Sequence, residues 1–356
     1  MSAARRAAPL PPARKRSSER TGSPARPGRR HGQRRRSRAV ARRRRLLAGV
    51  ALLAVLLSLP LGVWGSAPRK ARRSAPALQK PGPITLTFQG RQIARIGTPV
   101  GPRARGAAAP RTLSSQVSTV LPRTTTVRLG AARVVFQLDA ATVAASAAKL
   151  LPRGGDVEVP GRPVAASITA PVLKQKLHNN CEAAALQVLL ATAGVRADQL
   201  RLQAELPRSG PLDPRETGAG RVWGDPNAGF VGRADSGGPA GGFGVYQGPL
   251  AGVARRHGVL LKDLSGTTPG RLYAHVLSGH AVLAWVGLAD GPFGRWNSPN
   301  GRTIEVNFNE HAVVITGIGR DGLLSVIDPL QGKRTVWSKT QFEALWARIN
   351  KRALST

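Results

Sequence analysis

Read for its alternation of apolar and polar positions, the chain changes character twice. Residues 46–64 form an apolar run without a charge, broken only by Ser58 and ending at Trp64. At about 1.5 Å per helical residue, that run spans roughly the 30 Å hydrocarbon core of a bilayer. Residues 65–83 are rich in Pro, Ala and basic side chains and read as a solvated linker. From Ile84 the pattern alternates. Ile84–Phe88 and Arg91–Ile96 flank Gln89-Gly90, which predicts a β-hairpin. A helix is expected near Ser114 to Val120, a strand over Thr126 to Leu138, and a helix over 139–150 with Asp139 as its N-cap. Asp156 to Val159 and Val164 to Ile168 predict a second hairpin around Pro160-Gly161-Arg162. Residues 84–169 therefore read as a small α+β module.

From about residue 170 the pattern is longer-ranged. A polar run, Lys174 to Asn180, gives way to a helix-forming run from Glu182 to Ala193. A Gly/Pro-rich stretch, Pro207 to Pro249, carries Trp223, Asp225, Phe230 and Tyr246. Long irregular loops tend to be binding walls or lids, so these four are candidates for lining a substrate cleft, or for stapling the loop to the core. Helices are expected at Pro249 to His257 and at Pro269 to Leu277, the latter capped by Thr268. Strands follow at Ala281 to Gly287, Thr303 to Val306, His311 to Gly317, Leu323 to Asp328 and Arg334 to Trp337. A last helix, Lys339 to Ile349, opens with the capping box Ser338-Lys339-Thr340-Gln341. Helices first and an antiparallel sheet after make residues 170–356 an α+β domain.

Charge adds a location. Residues 1–45 hold 17 Lys/Arg against the single acid Glu19, and read as a disordered tail. With this cluster before the apolar run, the positive-inside rule places the tail in the cytoplasm and everything after Trp64 outside. A retained single-pass signal-anchor is the first reading; a cleaved secretory signal is the alternative. The tail then flanks lipid, and nucleic acid is not an expected partner. No acid occurs from Gly22 to Phe136, whereas 69–138 carries 13 Lys/Arg. The basic residues of 69–135 would attract anionic lipid or an anionic wall polymer, or are simply solvated. Residues 170–356 are ordinary, with 21 basic and 14 acidic side chains.

The candidate chemistry rests on the only cysteine, Cys181. It stands where the polar run becomes a helix, and a helix N-terminus favours a thiolate, which predicts a thiol shifted toward neutrality. Gln175, six residues upstream, offers an amide for a developing oxyanion. His311 opens one strand and Asp328 closes the next, so antiparallel pairing can bring them together at one sheet edge. A carboxylate there orients the imidazole, which takes the proton from Cys181. His257 and His275 fall in helices, His280 in a turn, and His178 in the polar run before Cys181. No Cys/His cluster has metal-ligand spacing, so neither metal nor cofactor is expected.

Four stretches then fall in order: Gln175 with Cys181-Glu182-Ala183-Ala184; Trp223-Gly224-Asp225-Pro226 with Gly229-Phe230-Val231-Gly232; Glu310-His311-Ala312-Val313-Val314; and Ile327-Asp328-Pro329-Leu330-Gln331-Gly332. Over about residues 170–350 the chain resembles the C39-like cysteine peptidases, papain-fold enzymes akin to the bacteriocin-processing peptidases. The resemblance implies Cys181 as nucleophile, His311 as general base, Asp328 as its orienter and Gln175 as oxyanion donor. It departs from the bacteriocin-processing members in having Glu182 rather than glycine after the cysteine. It also lacks a Gly-x-x-x-x-Gly-Lys-[Ser/Thr] phosphate loop, so their double-glycine leader specificity does not carry over. The expectation is a membrane-anchored, extracytoplasmic cysteine peptidase acting on a peptide or protein. The alternatives are the same triad turned on peptidoglycan peptides as an amidase, endopeptidase or transpeptidase, and a non-catalytic surface-binding protein on this fold.

Overall fold

A computed structural model describes residues 82–97, 112–151 and 153–356. The expected tail 1–45, the apolar run 46–64 and nearly all of the linker lie outside the described residues. Among the described residues no helix is long and apolar enough to cross a membrane.

The first part runs β1 (Ile84–Phe88), β2 (Arg91–Ile96), α1 (Leu113–Val120), β3 (Thr124–Leu129), β4 (Ala132–Leu138), α2 (Ala140–Leu150), β5 (Gly155–Glu158) and β6 (Gly161–Ile168). The β1–β2 hairpin is present, with Gln89 and Gly90 at φ 50° and 71°. Both central residues in the left-handed region match the strand twist of a two-residue turn. Asp139 caps α2 by accepting the N–H groups of Ala141 and Thr142. Two expectations fail. Residues 126–138 are not one strand: β3 and β4 form a hairpin that turns at Gly130, φ 54°. Nor do β5 and β6 pair with each other. β5 runs parallel to β1, while β6 runs antiparallel to β4. Between them Val159 donates to Thr87 and Pro160 accepts from Asp139, so the chain passes from one sheet to another without reversing upon itself.

The second part opens with α3 (Cys181–Thr192) and α4 (Gln199–Glu205), then the short strands β7 (Arg215–Thr217), β8 (Gly220–Val222), β9 (Val231–Gly232) and β10 (Gly242–Gly244). After α5 (Gln247–Arg256), β11 (Lys262–Asp263) and α6 (Pro269–Leu277) come β12 (Val282–Gly287), β13 (Phe293–Asn297), β14 (Thr303–Asn307), β15 (Glu310–Ile318), β16 (Leu324–Asp328) and β17 (Lys333–Trp337). α7 (Lys339–Ala347), capped by Ser338 as the capping box predicts, and β18 (Ala353–Ser355) close the chain. The Gly/Pro-rich stretch is thus not structureless. β7 and β8 join β13 and β14 in a four-stranded sheet. The strand expected at 303–306 belongs there, apart from the main sheet.

The main sheet has nine strands. Seven run in the order β11-β18-β12-β15-β6-β4-β3, and β16 and β17 branch from β15. All its pairings are antiparallel. Against it lies α3, buried at nine of its twelve positions, including Leu186, Leu189 and Leu190. A helix this apolar all round is a central core element. One core holds those leucines with Trp285, Val313, Ile315 and Trp346, and continues into Ala132, Val134, Ala166 and Ile168 on β4 and β6. A smaller core, built around Leu86, Val117, Val143 and Val157, lies under α1 and α2. Residues 84–169 therefore carry a core of their own and also lend three strands to the main sheet.

Ile168→Ala removes a side chain 3% exposed at that junction. It should cost about 2–5 kcal/mol. Calorimetry should show a single melting transition moved down as a whole. Two transitions, only one of them shifted, would mean that the two parts melt independently.

Candidate active site

The site is arranged around an asymmetry of β15. On one side β12 pairs with it from Glu310 to Ile315, and β6 takes over at Gly317 and Ile318. On the other side β16 pairs only from Val314 onward. Trp285, opposite Ala312 in the register, gives its N–H to Arg352 on β12's far side. Ala312 accordingly points its own N–H away from β12, toward the side where β16 has not yet begun. The start of α3 comes against that open side, and Cys181 Sγ accepts the Ala312 N–H.

At the same end of β15, His311 Nε2 lies 2.8 Å from Asp328 Oδ1, with both residues almost fully buried. Oδ1 also accepts the N–H groups of Leu330 (2.9 Å) and Gln331 (3.3 Å). Burial alone pushes the Asp328 carboxyl up, but the bond and charge of His311 and these two N–H groups outweigh it and hold it below its ordinary value. Asp328 is therefore an ionised acceptor. His311 donates Nε2–H to it, which leaves Nδ1 with its lone pair free.

The thiol is in a different state from the expected one. Cys181 is 5% exposed and donates its S–H to Glu182 Oε2 at 3.4 Å. Among the described residues no hydrogen bond joins it to His311. Burial, then the charges of Glu182 and Glu310, push the thiol well above its ordinary value, against the opposing Ala312 N–H. The expectation of a thiol shifted toward neutrality is overturned. The helix end favours a thiolate, yet burial beside two carboxylates outweighs it.

Glu182 is fully buried. Its Oε1 accepts the Val245 N–H at 2.7 Å, and the Val245 carbonyl accepts Trp285 Nε1–H at 3.0 Å. A Cβ at Gly244, where φ is 129°, would overlap Glu182 Oε1, so this position needs glycine. Burial raises Glu182 to about 7 despite the N–H of Val245, its own N–H and the thiol donor. Glu310 is also raised, by burial first and then by the charge of Glu182, while Arg352 works the other way. Glu310 Oε1 is enclosed without a partner. Arg352 stacks on the Tyr246 ring at 3.6 Å and donates to Asn227 and Gln247. Among the described residues, Cys181, Glu182 and Glu310 are the one group whose acid or thiol atoms, all within 4.8 Å of one another, come close enough to share a cation.

The loop leading into Cys181 is held from several directions. Gln175 N–H bonds to Pro329, Lys176 N–H to Gln199 Oε1, Leu177 N–H to Asn180 Oδ1 and Asn179 N–H to Ala234. Gln175 Nε2 donates to the carbonyls of Leu177 and His178 within this loop, and its Oε1 is buried without a partner. In this geometry the amide that was expected to face an oxyanion braces the loop. Buried Gln199 does the same from α4, donating to Lys174 O while it accepts from Lys176 and Asn180. Nothing in the amphipathic pattern of α4 marks it. His178 is exposed, beside Gly237.

The four cleft candidates lie inward. Trp223 is fully buried against Trp296, with Nε1 satisfied by Pro211 and Leu212 carbonyls. Asp225 is 7% exposed, folds back on Asn227 and pairs with Arg302. Phe230 and Tyr246 are 4% and 5% exposed. The loop is stapled to the core by these side chains because their apolar area is worth more inside. Phe230 also lines a groove of about 450 Å³ that reaches Leu177 in the loop before Cys181, and Tyr246 lines another of about 370 Å³. Sequence reasoning noted Glu182 only as a departure from glycine and Glu310 only within a motif, and gave neither a role, although each stands next to a residue singled out for catalysis.

The site thus places a buried His–Asp pair at the strand end that meets a cysteine at a helix N-terminus. The Peptidase_C39 like family matches residues 167–354, and the chain belongs to it. It is 31% identical over 183 residues to the uncharacterized protein YvpB of Bacillus subtilis (strain 168), covering 50% of this chain and 69% of that relative. It is also similar to a crystal structure of a candidate C39-like peptidase from Bacillus anthracis, at 29% identity and a TM-score of 0.45. That match covers 52% of this chain and 92% of the other.

Two carboxyls with opposite shifts predict a bent pH–stability curve. Depressed Asp328 contributes stability above its ordinary value of 3.8 that is lost as pH falls through its folded value. Raised Glu182 contributes stability below 4.5 that is lost as pH rises to about 7. In urea titrations from pH 3 to 8, Asp328→Asn should flatten the acid limb and Glu182→Gln the limb between 4.5 and 7. Unchanged limbs would contradict this assignment.

Proposed function

We propose that this chain is a papain-like cysteine peptidase that hydrolyses peptide bonds outside the cytoplasm. The observation that carries the reading is the buried His311–Asp328 pair, placed at the strand end where Cys181 Sγ meets the Ala312 N–H. Asp328 fixes the tautomer, so His311 Nδ1 is the nitrogen that takes the Cys181 proton. The thiolate attacks the substrate carbonyl. The oxyanion that forms is stabilised by the backbone N–H of Cys181, at the start of α3 where no preceding turn supplies a carbonyl. The C–N bond then breaks as the imidazolium returns a proton to the leaving amine. Water, losing its proton to Nδ1, attacks the thioester and regenerates the thiol. Membrane anchoring through residues 46–64 is supported by their length, lack of charge and basic flank. The second reading keeps the chemistry and takes peptidoglycan peptides as substrates. It is favoured by the acid-free stretch from Gly22 to Phe136, which suits an anionic surface.

Purified protein offered peptides and muropeptides side by side should cleave one class. Cys181→Ser should abolish cleavage. Asp328→Asn should lower kcat by about a hundredfold or more while leaving KM within about twofold, because the imidazole loses its orienting acceptor. Cleavage of muropeptides alone selects the second reading. Turnover that survives Cys181→Ser defeats both.

A further inference from the structure

The triad mechanism makes no use of the two carboxyl groups that crowd the nucleophile. Burying such a pair is costly, and nothing in peptide hydrolysis by cysteine and histidine calls for it. Their placement is nevertheless specific. Glu182 is fully buried and held from three directions: by the Val245 N–H, by the side-chain-free Gly244, and by the thiol itself at 3.4 Å. Glu310 lies within 4.8 Å of both, with one oxygen unpartnered. The Cys181 S–H is given to Glu182, and among the described residues no hydrogen bond joins it to the imidazole that the mechanism needs.

Resting on the peptidase reading, we propose that Glu182 is a positioning residue for Cys181. Its carboxylate takes the S–H bond and holds the resting nucleophile as a neutral thiol. During turnover the sulfur leaves Glu182 and passes its proton to His311 Nδ1; without substrate the thiol ionises only to solvent base in the alkaline range. In the transfer to His311 the S–H bond breaks, an N–H bond forms, and the products are a thiolate and an imidazolium, so no further reactant is needed. The Ala312 N–H is already directed at the sulfur and is available to stabilise the charge once it forms. The other charged or titratable groups around the cluster are Glu310 from β15, Tyr246 at the head of α5 and Arg352 before β18. The two carboxyls oppose a thiolate, and Arg352 moderates Glu310. An exported thiol held this way is shielded from adventitious oxidation and alkylation, because the thiolate is the reactive form.

The test needs no substrate. Alkylation of Cys181 by iodoacetamide would be followed from pH 6 to 10 on the full chain, with a chelator present, for the wild type, Glu182→Gln and His311→Ala. The wild-type rate should be low at pH 7.5 and rise only in the alkaline range. Glu182→Gln keeps an acceptor for Val245 and places an amide donor at the sulfur, so it should react about tenfold faster at pH 7.5. His311→Ala should stay within about twofold of wild type, because the resting thiol does not depend on the imidazole. A folded Glu182→Gln protein no faster than wild type at any pH would overturn the proposal, as would a tenfold loss in His311→Ala. Should Glu182→Gln fail to fold, thiolate absorbance of the wild type decides: a midpoint above about 8.5 supports the latch and one below about 7 refutes it. Absence of peptide cleavage in every form would count against the peptidase reading alone, since alkylation does not require it.

Discussion

The arrangement depends on one strand that lacks a neighbour along part of one side. β15 is paired with β12 from its first residue, but β16 joins its other side only at Val314. Between those two starts, backbone polar groups face outward without a ladder partner, and an enclosed N–H must find an acceptor. The start of α3 occupies the gap, and the Ala312 N–H finds Cys181 Sγ. Because β16 ends at Asp328 and turns there, that carboxylate reaches His311 and two loop N–H groups with one oxygen. Sheet pairing and the start of α3 thereby bring Cys181, His311 and Asp328 to one strand end, although they are far apart in sequence.

The rest of the fold stiffens this corner. Leu186, Leu189 and Leu190 pack α3 into the main core, which fixes the helix whose first residue is Cys181. Gln175 and Gln199 tie the preceding loop to itself and to α4. Trp285 links the Val245 carbonyl to β12, and the Val245 N–H in turn fixes Glu182. Cys181 is thus held by side chains whose own positions are set by core packing, the condition under which small differences in hydrogen bonding decide protonation. Here they favour the thiol at rest, and a helix N-terminus by itself does not reverse that.

Much of the fold could be read from local pattern because the deciding interactions are local. The Gln89-Gly90 turn, the Asp139 cap, the Ser338 capping box and the apolar run of β12 each depend on residues within a few positions of one another. The pattern misled where pairing was non-local. β5 and β6 lie close in sequence yet belong to different sheets, and β14 pairs with a strand, β13, that local pattern did not reveal. Of the aromatic side chains in the Gly-rich loop, Trp223 staples the loop to the core, while Phe230 and Tyr246 are buried yet still line grooves, a division that local pattern left open.

By itself the sequence determined the family and the candidate chemistry. The family is carried by the resemblance of four motifs in order, around Cys181, Trp223, His311 and Asp328, and the candidate chemistry by a lone cysteine at a helix start with a histidine and an aspartate at successive strand ends. Only the tertiary structure decided the state of that chemistry. It placed Glu182 and Glu310 beside the sulfur, turned the Gln175 amide into its own loop and raised the thiol above its ordinary value. The physical reason is that protonation follows burial and the charges that meet in space. Strand register and the close approach at Gly244 set those distances, and no local stretch of the chain encodes them.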